Sequence, residues 1–145
     1  MTSRRSLTTM LAATGAALTL VACGGSGSSA STLTVDDVVP RLADGGIDCT
    51  DSSIEALEDG IVARAVTCLL GTTGAVAVAV ADDVDAFGEV KSTLCAEAEG
   101  NDGLNDIAYG ANWIAVAASE GNTVTAEQVA SALGGESGSV PDFCA

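Results

Sequence analysis

Five cysteines and no histidine set the chemistry open to this chain of 145 residues. Without imidazole there is no Ser-His-Asp or Cys-His nucleophile, no histidine acid or base and no histidine metal ligand. Cys49, Cys68, Cys95 and Cys144 contain no C-x-x-C unit, so they do not read as zinc ligands. An even set of four reads instead as two disulfides in an oxidising compartment. The one lysine, Lys91, has Ser92 beside it, but neighbours on a helix point in different directions and do not form a Ser-Lys pair. Twenty acidic residues would supply paired carboxylates. The four aromatics, Phe87, Tyr109, Trp113 and Phe143, leave little for a sugar platform, and Trp113 reads as a core plug over an alanine-rich sheet. The run Glu97 to Gly103 places oxygen ligands at alternate positions, in the manner of a calcium loop. Its turn glycine comes one residue late, and the twelfth position from Glu97 is Ala108 and not a bidentate glutamate. The expectation is a non-catalytic chain with no cofactor and no metal.

Cys23 belongs to a different pattern. It ends Leu20-Val21-Ala22-Cys23, behind an apolar run from Met10 to Val21 and a basic start at Arg4 and Arg5, the three-part layout of a secretory signal. That run is too short to cross roughly 30 Å of hydrocarbon. Residues 20–23 resemble a bacterial lipobox. The resemblance implies that the Cys23 sulfur receives a diacylglyceryl group, that cleavage falls before Cys23, and that the mature chain is lipid-anchored on the extracytoplasmic face of the cell membrane. Two or more acyl chains make a stable anchor. Gly24-Gly25-Ser26-Gly27-Ser28-Ser29-Ala30-Ser31 follows at once, a flexible tether that stands a domain off the membrane. The expected organisation is a signal peptide over 1–22, lipidated cysteine and tether over 23–33, and a single extracytoplasmic domain over 34–145. Ser3-Arg4-Arg5-Ser6-Leu7 also resembles a twin-arginine export signal; the plain alternative is positive charge on the cytoplasmic side.

Every acidic residue lies beyond Cys23, where only Arg41, Arg64 and Lys91 remain as cations. Three cations against twenty acids give the mature chain a net charge of −17. Such a surface repels nucleic acid and anionic lipid. The acids are dispersed, with small clusters at Asp36-Asp37, Glu58-Asp59 and Asp82-Asp83-Asp85, as on a solubilising surface. A core of alanine and valine buries little area per residue, so two disulfides at about 2–4 kcal/mol each would be a large share of its stability.

The elements that position these residues follow from periodicity. Thr34 to Ala43 reads as a capped helix ended by Gly45-Gly46, with Pro40 as a difficulty in its interior. Ile47 to Cys49 is extended, and Asp51 to Gly60 is a polar loop. Ile61 to Leu70 and Ala75 to Ala81 form a hairpin, the second strand alternating alanine with Val76, Val78 and Val80. Asp82 or Asp83 caps a helix to about Ala98, with Val84, Phe87, Val90, Lys91 and Leu94 recurring at helical steps and Cys95 beside them. Asn105 to Tyr109 and Trp113 to Ala118 form a second hairpin. Thr125 to Leu133 is a third helix ended by Gly134-Gly135, and Ser139 to Cys144 a last short strand.

The segments 61–98 and 105–133 share the order strand, strand, helix, which suggests a ββα pseudo-repeat. Two hairpins with about three helices on one face make a two-layer α+β sandwich with an antiparallel sheet. Three disulfide pairings are possible. If the second helix ends near the C-terminal strand, Cys95 reaches Cys144 and Cys49 is left for Cys68.

The lipobox, the tether, the lysine-poor Ala/Val/Asp body, Asn112-Trp113-Ile114-Ala115-Val116 and Leu133-Gly134-Gly135 together resemble small bacterial lipoproteins of the high-GC Gram-positive (actinobacterial) type. The resemblance brings no known activity. It leaves an anchored envelope protein expected to bind a protein partner or serve a structural role. The alternatives are a module for small ligands or cations such as calcium or polyamines, and an enzyme inhibitor.

Overall fold

The computed structural model describes residues 32–57, 63–72, 74–98, 106–118 and 124–145. The elements run α1 (Val35–Asp44), β1 (Asp51–Ala56), β2 (Ala63–Leu70), β3 (Gly74–Ala81), α2 (Val84–Ala98), β4 (Ile107–Tyr109), β5 (Trp113–Ala118), α3 (Ala126–Leu133), β6 (Glu136–Gly138) and α4 (Val140–Cys144). The strands form one sheet in the order β1-β2-β3-β5-β4-β6, every pair antiparallel. Both expected hairpins are present, and the fold is α+β.

Strand alternation sorts the sheet into two faces. Val66, Cys68, Val76, Val78, Val80, Trp113 and Ala115 share one core with Val35, Val38 and Leu42 of α1 and Val129 and Leu133 of α3. Ala81, Ile107 and Ile114 point the other way, into a second core with Phe87 of α2 and Val140 and Phe143 of α4. Of the alanines that alternate with the valines of β3, Ala81 is as buried as the valines, Ala75 and Ala79 are half-buried and Ala77 is exposed.

This corrects the two-layer expectation. Both faces of the central strands are apolar, so both need a cover, and the helices divide between them. The division also removes the duplicated unit. Because β3 and β5 are antiparallel neighbours, the rotation that superposes one hairpin on the other leaves each face of the sheet where it was. A repeat would then place α2 and α3 on the same face, whereas they lie on opposite ones.

Two further readings change. Asp51–Ala56 is a six-residue strand and not a loop. Its pairing is imposed from outside its own sequence, by the Cys49–Cys68 bridge and by Thr50, whose N–H and Oγ1 both donate to the Leu69 carbonyl. The 139–144 segment is a helix and not a strand, because Ser139 and Asp142 form a reciprocal capping box with Pro141 in the first turn. The strand in this region is β6, just before it.

Pro40 sits inside an unbroken α1. The carbonyl it leaves without a donor is that of Asp36, and both residues are exposed, so water takes the place of the missing bond. At the end of α1 a side chain on Gly45 would collide with Ala132, which is how closely α1 and α3 approach. Thr125 and Gln128 cap the start of α3, and Gly134 ends it in the left-handed conformation at φ 78°.

Candidate functional site

The structure joins Cys49 to Cys68 and Cys95 to Cys144, the pairing that the expected order of elements favours. The first bridge lies in the α1/α3 core, with Cys68 fully buried. The second ties α2 to α4 and is half-buried. Cys23, the signal segment and the tether up to residue 31 lie outside the described residues, as do residues 99–105 of the calcium-like loop and the Glu58-Asp59 cluster. Among the described residues no group of three or more potential metal ligands comes together, and no helix is long and apolar enough to cross a membrane.

The described chain is fixed at its start by Asn112, the one buried polar residue among the described residues. Its Oδ1 accepts from the Leu33 N–H at 2.8 Å. Its amide nitrogen donates to the Leu33 carbonyl at 2.9 Å and to the Ala81 carbonyl at 2.8 Å. Leu33 is itself 2% exposed and packs in the α1/α3 core. Beside Asn112, Trp113 is the expected core plug. Side chains on Gly110 or Gly135 would overlap its indole, and its Nε1 is buried without a hydrogen-bond partner.

Chemistry gathers at the other face, where α2 and α4 meet the β4–β5 turn. Val84, Phe87, Gly88 and Lys91 recur at three- and four-residue steps, so one stripe of α2 forms a wall. Tyr109, Gly110 and Ala111 supply the end of β4 and the turn, and Asp142, Phe143 and Ala145 the opposite wall. Together they enclose an open cleft of about 430 Å³. Three of the chain's four aromatics line it. Phe143 packs on Tyr109 at 5.0 Å and edge-on to Phe87 at 6.1 Å between ring centroids.

Both signs of charge are present. The Lys91 Nζ stands 4.8 Å from the centre of the Phe143 ring, a cation–π contact. The Asp142 Oδ2 accepts from Ser139 Oγ at 2.6 Å and from the Ser139 N–H at 3.4 Å. These bonds, the hydroxyl first, hold the Asp142 carboxyl below the usual carboxylate range. Lys91 and Asp142 do not pair with each other; away from the cleft, Arg64 pairs with Asp82 at 3.6 Å.

Lys91 was legible in the sequence as a charged residue on the apolar stripe of a helix. Ser92, the residue beside it, is exposed where Lys91 is half-buried. Tyr109, Asp142 and Phe143 could not be attached to it without knowing that 140–144 folds back as a helix.

At the far edge of the sheet β1 is exposed along its whole length. Leu57 N–H donates to the Ala63 carbonyl at 3.1 Å. The alternation of an antiparallel strand then turns the N–H and C=O of Ser53 and Glu55 toward β2 and those of Ser52, Ile54 and Ala56 outward. No family model, curated protein or solved structure matches the chain.

Proposed function

We propose that this chain is a membrane-anchored cell-envelope lipoprotein whose disulfide-braced domain is a non-catalytic protein-interaction module. Leu20-Val21-Ala22-Cys23 and the Gly/Ser run after it motivate the anchor. The interaction reading is carried by β1. Edge strands are normally protected by lysine, proline, a bulge or a cover, and Asp51-Ser52-Ser53-Ile54-Glu55-Ala56 has neither lysine nor proline and pairs with β2 without interruption. Ile54, at its centre, is 51% exposed.

The partner that fits is an extended protein segment added as a further strand. Basic side chains at alternate positions would lie opposite Asp51 and Glu55 on one face, and an aliphatic one against Ile54 on the other. Hydrogen exchange of the full chain with a synthetic peptide alternating valine and lysine tests this. Slowed exchange at the amides of Ile54 and Ala56 is the expected result. The Ile54→Pro substitution removes an outward N–H without touching the bonds to β2, and should abolish the protection while leaving the thermal midpoint nearly unchanged. Protection elsewhere, or binding that survives Ile54→Pro, would overturn the reading. The anchor is tested separately by the intact mass of membrane-extracted protein: residues 23–145 plus lipid support it, and an unlipidated chain sinks it.

A second reading, binding of a small ligand, is favoured by the cleft between α2 and α4.

A further inference from the structure

We infer that β1 is a self-complementary edge: in the absence of a basic segment its occupant is β1 of a second copy of this chain, paired antiparallel across a two-fold axis at Ile54. The inference rests on the reading of β1 as the interaction edge and names a partner for it.

Three observations carry it. The first is a row of side chains that stops short. The register places Ile54 beside Val66, Val66 beside Val78, Val78 beside Ala115 and Ala115 beside Ala108. Residues directly opposite on antiparallel strands share a face, so the row crosses the α1/α3 side of the sheet. Its inner members are at most 2% exposed, whereas Ile54 is 51% exposed. A β-branched side chain at the open end of a buried row leaves one flank in water. A second Ile54 placed there continues the row into the partner's Val66.

The second is the backbone. The N–H and C=O groups of Ser52, Ile54 and Ala56 turn outward at the spacing of one antiparallel ladder. With the axis at Ile54, each Ile54 N–H donates to the partner's Ile54 carbonyl, and each Ala56 N–H to the partner's Ser52 carbonyl. The remaining outward donor, the Ser52 N–H, is already taken by Asp51 Oδ1 at 2.8 Å. The pairing therefore leaves no outward donor of the strand without an acceptor.

The third is charge. Like charges directly opposite destabilise an antiparallel pair, and the acids of β1 are Asp51 and Glu55. An axis at Ser53 sets Asp51 against the partner's Glu55, and an axis at Glu55 sets that residue against itself. An axis at Ser52 or Ala56 pairs Ile54 with a residue outside the strand. An axis at Ile54 sets Glu55 against the partner's Ser53, Asp51 against the partner's Leu57 and Ser52 against the partner's Ala56. Of the two-fold registers, which a closed homodimer requires, this one pairs Ile54 within β1 and opposes no two acids.

Sedimentation of the full chain over a range of concentrations tests this, with Ser53 as the lever, because it is exposed and meets the partner's Glu55 on both sides of the axis. A single strand pair is a small interface, so wild-type association is expected between high micromolar and millimolar chain. Ser53→Lys sets a cation against each Glu55 and should tighten association about tenfold, and Ser53→Glu should weaken it by about as much. Binding of the alternating valine and lysine peptide should move the other way, weaker in Ser53→Lys and stronger in Ser53→Glu. Added salt separates the two again: it screens the repulsion between two acidic chains and strengthens self-association, but weakens the peptide. Residues 1–32 are common to all the variants, so association through that segment would not follow the substitutions at Ser53. The amides of Ile54 and Ala56 should also exchange more slowly as chain concentration rises. A chain that stays monomeric at millimolar concentration in high salt, or association indifferent to both Ser53 substitutions, overturns the pairing and leaves the peptide test of β1 standing. A Ser53→Lys chain that associates less than wild type overturns the axis at Ile54.

Discussion

The two faces of the sheet are built from the same strands but solve different problems. On the α1/α3 face the valines of β2 and β3 meet Leu42, Val129, Leu133 and Trp113, all essentially without exposure. On the α2/α4 face alanines and isoleucines lie under Phe87 and Phe143, and the cover stops short at an open cleft lined by a lysine, an aspartate and a helical glycine. One face is closed by close approach of backbones at Gly45, Gly110 and Gly135. The other is held by a covalent clamp, Cys95–Cys144, on a helix of five residues. A domain rich in small side chains thus places its packing on one side and its exposed chemistry on the other.

The largest expected effect breaks that contrast directly. Trp113→Ala should cost about 3–5 kcal/mol by urea unfolding. Phe143→Ala should cost at least about 1 kcal/mol less, since its ring borders open space and leaves a cavity that water can fill. Equal losses would mean that the α2/α4 face is packed as tightly as the other.

The disulfides sharpen it. On loop entropy, removing Cys95–Cys144, with a separation of 49 residues, should cost about 4 kcal/mol, and removing Cys49–Cys68, with a separation of 19, about 3 kcal/mol. Double serine variants compared by thermal unfolding should show this order. The Cys95→Ser/Cys144→Ser pair should also speed amide exchange in α4 while leaving α1 and α3 protected. Uniform loss of protection would show that the two faces are one cooperative unit.

Gly88→Ala should raise stability by about 1 kcal/mol, because α2 gains a helix former in empty space. No such gain is expected at Gly110 or Gly135, where a Cβ meets the Trp113 ring. A destabilised Gly88→Ala variant would show that the space beside this glycine is not free for a methyl group.

The smallest effect concerns acid. Asp142 on one face and Asp37 on the other are each held below the usual carboxylate range, first by a hydroxyl, Ser139 and Thr34 respectively. A carboxyl whose value is lowered by folding stabilises the fold above the unfolded carboxylate range, and that contribution is lost as pH falls through the lowered folded value. The Asp142 carboxyl carbon, followed by NMR, should therefore titrate at lower pH than in Ser139→Ala. An unchanged midpoint would show that the α4 cap does not hold the carboxylate.

Much of the fold was legible because local chemistry repeated it. Alternating valines in 76–80, the helical stripe of 84–95, and the run Thr125 to Leu133 before Gly134-Gly135 each carry their own signal. What misled was segment content at odds with tertiary demand. Asp51 to Ala56 is polar and exposed, and becomes a strand because Cys49 and Thr50 bind it to β2. Ser139 to Cys144 is too short for a periodic signal, and its helix follows from a cap and a proline. The cleft was invisible for the same reason: Lys91 could be seen, but its partners come from 109–111 and 142–145.

By itself the sequence determined the absence of imidazole chemistry, the acidic surface, the alternation of the central strands and the four cysteines available for pairing, because these depend on residue type and nearest neighbours. Only the tertiary structure decided that helices cover both faces of the sheet, that Asn112 locks Leu33 into the core, and that Lys91 and Asp142 share one aromatic cleft. Those outcomes depend on which side of a sheet a helix crosses to, a choice made by the packing of all the strands together and encoded in no single segment.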